Sequence, residues 1–181
     1  MNVENFKNSK GQIIDTYDDL FTFEEKFLFL MTFRESLYKI SGADIAVLGK
    51  DFNQINSRYT HSELLNTNFC NTQGFRCLEN IYGLSKRNIK QIRVNCVTPL
   101  EFDVAHTDRP GLTLVYFANH EWDIFWGGHT IFLNESLTEI EKLVIYKFGR
   151  VVIFDGTIPH SISPVSLRTN HFRLSFVIQF D

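Results

Sequence analysis

A mostly β fold with N-terminal helices, its strands arranged as an antiparallel sandwich or barrel, is what this sequence predicts. Three observations lead there. After Asn88, short β-rich runs follow one another at 89–97, 102–106, 112–118, 128–133, 143–146, 150–154, 158–163 and 172–180. Turn formers separate them, among them Pro99, Pro110-Gly111, Gly127-Gly128, Gly149 and Gly156, and about eight short strands punctuated in this way suit a jelly-roll-type double sheet. Helical periodicity, by contrast, is confined to the N-terminal part. Finally, 181 residues with 44% hydrophobic and 22% charged side chains fit one globular domain, because a chain of this length buries roughly 70% of its unfolded surface.

In chain order, residues 12–17 read as a short strand. Thr22-Phe23-Glu24-Glu25 then forms a capping box, in which the Thr22 hydroxyl and the Glu25 carboxylate close open amides at a helix start. Phe23, Phe27, Leu30, Met31, Leu37 and Tyr38 recur at helical spacing and Gly42 supplies a stop, so a helix of about twenty residues is expected to pack its aromatic stripe on a sheet. Residues 50–85 are polar, and their only helical signal is Thr60-His61-Ser62-Glu63 opening a short turn. They are expected to form loops or a lid. The chain thus divides into a supporting helical part and rim at 1–88 and a β core at 89–181, within the single domain 1–181.

Eighteen Lys and Arg against 21 Asp and Glu leave a net charge of -3, so there is no global cationic field to attract phosphate backbones, and nucleic acid is not the expected partner. Lys86, Arg87, Lys90 and Arg93 form a local basic patch that reads as a solvated strand edge. The longest strongly apolar run, 27–31, is far short of the roughly 20 residues that span a bilayer, and the polar opening lacks a signal-peptide core. No membrane partner and a soluble, cytoplasmic protein are expected. Cys70, Cys77 and Cys96 form no CxxC pair and read as packing residues in a reducing compartment. Oligomeric state is not legible.

The residues that carry chemistry begin with His106-Thr107-Asp108, at the end of a predicted strand and before the Arg109-Pro110-Gly111 turn. Alternation points His106 and Asp108 to one face. His160, 52 residues after Asp108, offers a third donor. Two imidazoles and one carboxylate make the facial set that holds ferrous iron and leaves the opposite positions open. An HxD triplet arises often by chance, so the weight lies on the ordered set: HxD early, a lone His late, and a basic residue on the last strand. That basic residue is Arg173, since period two places Arg173 and Ser175 on one face, where guanidinium and hydroxyl can grip a carboxylate. Arg168, in a polar segment, is the alternative. His61, His120, His129 and His171 read as surface or supporting residues.

From residue 89 onward the chain resembles the double-stranded β-helix (jelly-roll, cupin-like) domain of the 2-oxoglutarate- and Fe(II)-dependent oxygenases, closest to the prolyl 4-hydroxylase branch. The carriers are His106-Thr107-Asp108, then Leu112-Thr113-Leu114-Val115-Tyr116-Phe117-Ala118-Asn119 with Trp122, and Gly127-Gly128-His129-Thr130. They continue through Phe148-Gly149-Arg150-Val151-Val152-Ile153-Phe154-Asp155-Gly156, His160 with Pro164-Val165, and Arg173-Leu174-Ser175-Phe176. The resemblance implies His106, Asp108 and His160 as catalytic iron ligands. It also implies Arg173, with Ser175, as the partner of the distal 2-oxoglutarate carboxylate. Phe117 stands where relatives often have a cosubstrate-contacting Tyr; Tyr116 keeps a hydroxyl next door, although period two points it the other way. His129 departs from the family, where Glu or a small residue follows the paired glycines.

The same resemblance implies Fe(II), 2-oxoglutarate as cosubstrate and O2, with ascorbate as an optional accessory. It implies hydroxylation of a C–H bond, with a prolyl residue in a peptide or protein as the expected substrate and succinate and CO2 released. The retained Asp108 speaks for hydroxylation rather than halogenation. The alternatives are an oxygenase of this class acting on a small molecule or nucleobase, and a catalytically silent metal-binding module of the same fold. A cupin-like centre is disfavoured, because cupins usually offer HxH with a further Glu and His.

Overall fold

Period-two alternation in the C-terminal half produces two stacked antiparallel sheets. The computed structural model describes residues 2–27, 31, 39–42, 58–64, 76, 83, 86–99 and 103–181. The strands among them are β1 (Asn2–Lys7), β2 (Ile13–Asp18), β3 (Lys39–Gly42), β4 (Arg58–Glu63), β5 (Ile89–Val97), β6 (Leu112–Phe117), β7 (Thr130–Leu133), β8 (Ile140–Val144), β9 (Val151–Asp155), β10 (His160–Ile162) and β11 (Arg173–Phe180). The larger sheet has eight strands in the order β1-β2-β9-β6-β11-β5-β4-β3, and the smaller has three in the order β10-β7-β8. Every pairing is antiparallel.

Each face of the larger sheet has its own core. Phe117, Val152, Phe154 and Ile14 meet Phe132, Val144, Tyr146 and Ile158 between the sheets. Leu114, Tyr116, Val151, Ile153, Phe176 and Ile178 point to the opposite face, where Phe21 and Leu64 cover them. Full burial of one such side chain contributes roughly 1.5–3 kcal/mol, and a one-residue slip of any strand would exchange the two sets. The register is therefore specified from both sides.

Several expectations are corrected. Residues 102–106 do not form a strand: 103–105 are irregular and His106 makes an isolated bridge to His160, while residue 102 lies outside the described residues. The strand expected at 143–146 lies earlier, as β8. Asn134 accepts from the Thr138 and Glu139 amides through Oδ1 and closes the turn that lets pairing begin at Ile140. The capping box forms as expected, with Glu25 accepting from the Thr22 amide at 2.8 Å and Thr22 Oγ1 from the Glu25 amide at 3.3 Å. Residues 23–27 and 31 are helical, and most of the rest of the expected helix lies outside the described residues. It does not reach Gly42, because Lys39–Gly42 is β3 and pairs with β4. Thr60, His61, Ser62 and Glu63 open no helix either; they sit in β4, paired with β5 from Cys96 to Arg93. Apart from residues 64, 76 and 83, the remainder of the expected lid lies outside the described residues.

β1 was not expected, because its strand is almost wholly exposed and so lacks apolar alternation. Asn8 makes it possible: its Oδ1 accepts from the Lys10 and Gln12 amides and turns the chain back into β2. The hairpin is then tied to the smaller sheet, with Ser9 donating to Glu141 and Lys142 pairing with Glu4. Cys96 is buried; Cys70 and Cys77 lie outside the described residues. Among the described residues no helix is long and apolar enough to cross a membrane.

Candidate active site

The irregular segment before β6 is held against the segment before β10 by backbone bonds. His106 and His160 exchange amide-to-carbonyl bonds at 2.9 and 2.8 Å, and the Asp108 amide donates to Gly156 O at 2.7 Å. Gly156 is required at this crossing: a Cβ there would lie 2.4 Å from Arg109 O and 3.2 Å from Asp108 Cβ. The result brings one ligand atom each from His106, Asp108 and His160 within 4.8 Å of one another. Both rings are oriented the same way, His106 Nδ1 donating to Val104 O and His160 Nδ1 to Ile158 O, each at 2.9 Å. Since a carbonyl only accepts, each Nδ1 carries a proton, which leaves Nε2 as the ring nitrogen available to ligate a metal.

Asp108 is fixed by Thr113, whose Oγ1 donates to Oδ2 at 2.6 Å, and that same Oδ2 lies 3.7 Å from His160 Nε2. Burial, with the neighbouring His106 charge, pushes the His160 pKa down to about 4. The imidazole is therefore neutral at neutral pH, the form in which it ligates metals. Asp103 stands 3.5 Å from His106 Nδ1, and its burial raises its pKa. Two imidazole nitrogens and one carboxylate suit ferrous iron and leave further coordination positions for other ligands.

Arg173, at the start of β11, is 1% exposed. Its Nε donates to Gly128 O at 2.6 Å and its Nη1 to Ser175 Oγ at 3.2 Å. Its guanidinium lies over the Phe117 ring at 5.4 Å. Among the described residues it has no ion-pair partner. Burial lowers its pKa, but a guanidinium stays charged at neutral pH. A buried cation costs several kcal/mol unless an anion joins it, so a carboxylate is the kind of partner this guanidinium could take.

No family model and no curated protein matches the sequence. Solved structures do match the fold. A 2OG-Fe(II) oxygenase family oxidoreductase from Burkholderia pseudomallei superposes with a TM-score of 0.67 at 13% identity, over 93% of this chain and 84% of that one. A Trichoplax adhaerens prolyl hydroxylase, in complex with a hypoxia inducible factor oxygen degradation domain peptide fragment, gives 0.66 at 13% identity, over 92% and 82%. The non-heme alpha-ketoglutarate-dependent carbocyclase SnoK from nogalamycin biosynthesis gives 0.65 at 12%, over 94% and 80%. The chain has the fold of the 2OG-Fe(II) oxygenases.

Within this oxygenase fold, the expected residues fall into three groups. His106, Asp108 and His160 converge, and Arg173, Ser175 and Phe117 share the inner face of the larger sheet. Tyr116 lies on the other face of β6, as alternation expects, edge-on to Phe21 at 5.7 Å and beside Phe176, because neighbours along a strand point opposite ways. Arg168 is exposed in the β10–β11 loop. Trp122 donates to Gly127 O and packs on Tyr146 and Trp126, as a packing residue does. Thr113 was missed by the sequence reading, although it shares the period-two face of Phe117.

A cavity of about 480 Å³ flanks His106, between the β1–β2 and β7–β8 turns, lined in part by Lys10, Thr107, Glu135, Glu141 and Thr157. Lys10 and Glu135 form an ion pair of 2.5 Å on its wall. This oxygenase fold thus has space beside the candidate metal centre on the His106 side.

Proposed function

We propose that the chain is an Fe(II)- and 2-oxoglutarate-dependent dioxygenase, with residues 89–181 as its catalytic core and 1–88 as support and rim. The observation that carries this reading is the co-occurrence of two sites: a His106-Asp108-His160 donor set with both Nδ1 atoms committed to backbone carbonyls, and a buried guanidinium, Arg173, at the start of β11. His106, Asp108 and His160 would hold the iron; Arg173 and Ser175 would take the distal carboxylate of 2-oxoglutarate, with Phe117 as the apolar wall beside it. Bound there, iron with 2-oxoglutarate and O2 would supply hydroxylation of an unactivated C–H bond, with succinate and CO2 as the coproducts.

The protein's own contribution is geometry rather than proton transfer. Val104 O and Ile158 O lock the two rings before metal arrives, Thr113 keeps the carboxylate from rotating, and the burial of Arg173 would strengthen its grip on an anion. The cavity beside His106 offers the substrate its place. A prolyl residue in a peptide or protein is the proposed substrate, supported by the fold-level likeness to the prolyl hydroxylase. A small-molecule substrate is the second reading, favoured by the nearly equal likeness to SnoK.

The test is anaerobic addition of Fe(II) and then 2-oxoglutarate to the purified protein. A weak visible metal-to-ligand charge-transfer band is expected, because it requires the keto acid to chelate bound iron. Well-folded protein that binds iron but shows no band would overturn the cosubstrate assignment. Succinate release stimulated by prolyl peptides, but not by small molecules, then separates the two substrate readings.

A further inference from the structure

No carboxylate lies within 4 Å of Arg173 among the described residues, and neutral groups aim it. Two side chains outside the expected site do so from both directions along the chain. Asn119, just beyond β6 and 7% exposed, donates through Nδ2 to Phe172 O at 2.7 Å and accepts through Oδ1 from the Leu174 amide at 2.7 Å. It therefore brackets the Arg173 backbone on either side. Tyr146, 3% exposed, accepts through its hydroxyl from the Ala118 and Asn119 amides at 3.0 and 2.9 Å. Its single proton lies between Leu174 O and Asn119 Oδ1, each at 2.6 Å.

The Tyr146 ring completes the cradle. It stacks on Phe117 at 4.6 Å with an interplanar angle of 15°, and the guanidinium of Arg173 sits 5.1 Å above it. An aromatic face stabilises a desolvated cation without competing for its N–H groups. Burial pushes the Tyr146 pKa up to about 12, so the hydroxyl keeps its proton. His129 holds the other end, its Nδ1 accepting from the Tyr146 amide at 3.1 Å, next to the Gly128 carbonyl that takes Arg173 Nε.

We propose that Asn119 and Tyr146 are positioning residues that hold Arg173 in the orientation that binds the distal carboxylate of the cosubstrate, an inference that rests on the reading of Arg173 above. They touch no reacting atom; their effect passes through the guanidinium and falls on cosubstrate affinity alone.

The experiment titrates anaerobic Fe(II)-loaded protein with 2-oxoglutarate, following the visible band, for the wild type, Tyr146→Phe, Asn119→Asp, Arg173→Lys and the Tyr146→Phe/Arg173→Lys double variant. Iron affinity and the thermal midpoint are measured beside it. Tyr146→Phe keeps the ring and removes the clamp, and is expected to raise half-saturation about tenfold, with iron affinity within twofold of wild type and the same band at saturation. In the Arg173→Lys background it is expected to add less than twofold. An unmoved half-saturation, or an undiminished loss in the Arg173→Lys background, overturns the inference; so does an equal weakening of iron binding. If Tyr146→Phe does not fold, Asn119→Asp is judged by the same shift. A wild type without the band removes the cosubstrate reading and this inference together, whereas a band with unmoved half-saturation removes this inference alone.

Discussion

His106 and His160 face each other as backbone partners, exchanging amide-to-carbonyl bonds, and their ring centroids lie 4.5 Å apart. The two candidate ligands are thus spaced by main chain, and the bond from Asp108 N to Gly156 O adds the third. Such a set is preorganised, and its side chains can be removed without removing its scaffold.

Asp108→Ala should therefore leave the fold intact and abolish iron-dependent turnover, because the Asp108 amide still bonds Gly156. Equilibrium dialysis with Fe(II) and a circular dichroism spectrum check both halves; normal turnover in this variant would sink the metal assignment. Thr113→Val, which removes only the donor to Asp108 Oδ2, should weaken iron binding by roughly 10–100-fold, the usual effect of losing a group that orients a ligand.

Arg173→Ala and Arg168→Ala should separate cleanly. Charged hydrogen bonds to a buried carboxylate contribute roughly 1.5–3 kcal/mol each, so losing Arg173 should raise half-saturation by 2-oxoglutarate by about 100-fold or more. Exposed Arg168 should change it less than about twofold, an isolated surface charge being worth little. The opposite ranking would move the carboxylate pocket to the β10–β11 loop.

Gly156→Ala tests the crossing itself. The added methyl meets Arg109 O at 2.4 Å, so the 108–109 segment must retreat, at a cost of about 1–3 kcal/mol for overpacking. Urea unfolding should register that loss, and iron affinity should fall with it because Asp108 rides on the displaced segment. A variant as stable and as iron-competent as wild type would mean that the segment yields freely.

The strands were legible where alternation had a core on each side. Residues 89–97 and 112–117 carry that pattern, and β5 and β6 appear where it does. β1 and β4 were not, the first because an exposed edge strand needs no apolar face, the second because the Thr60–Glu63 capping signal yields to pairing with β5. The His106/Asp108 convergence was read from strand alternation, yet 103–105 are not strand; the two side chains agree in direction because both residues bond to the 156–160 segment. Asn119 and Tyr146 were illegible for a plainer reason: they reach Leu174 from 55 and 28 residues away, and no local period encodes such a contact.

Asp18 gives stability a predictable acid limb. Arg150 grips both its oxygens at 2.8 Å, Lys147 adds a bond at 3.1 Å, and the Asp18 pKa is held down to about 2, chiefly by the Arg150 bond. A carboxylate whose folded pKa lies below its unfolded value of 3.8 stabilises the fold above about pH 4 and loses that contribution as pH falls towards 2. Screening at this partly solvated site brings the contribution to about 1 kcal/mol. Asp18→Asn should accordingly lower stability at pH 7 while flattening its fall between pH 4 and 2, measured as urea midpoints across that range. If the variant and wild type lose stability in parallel there, the bidentate pair from β2 to Arg150, just before β9, is not what shapes the acid limb.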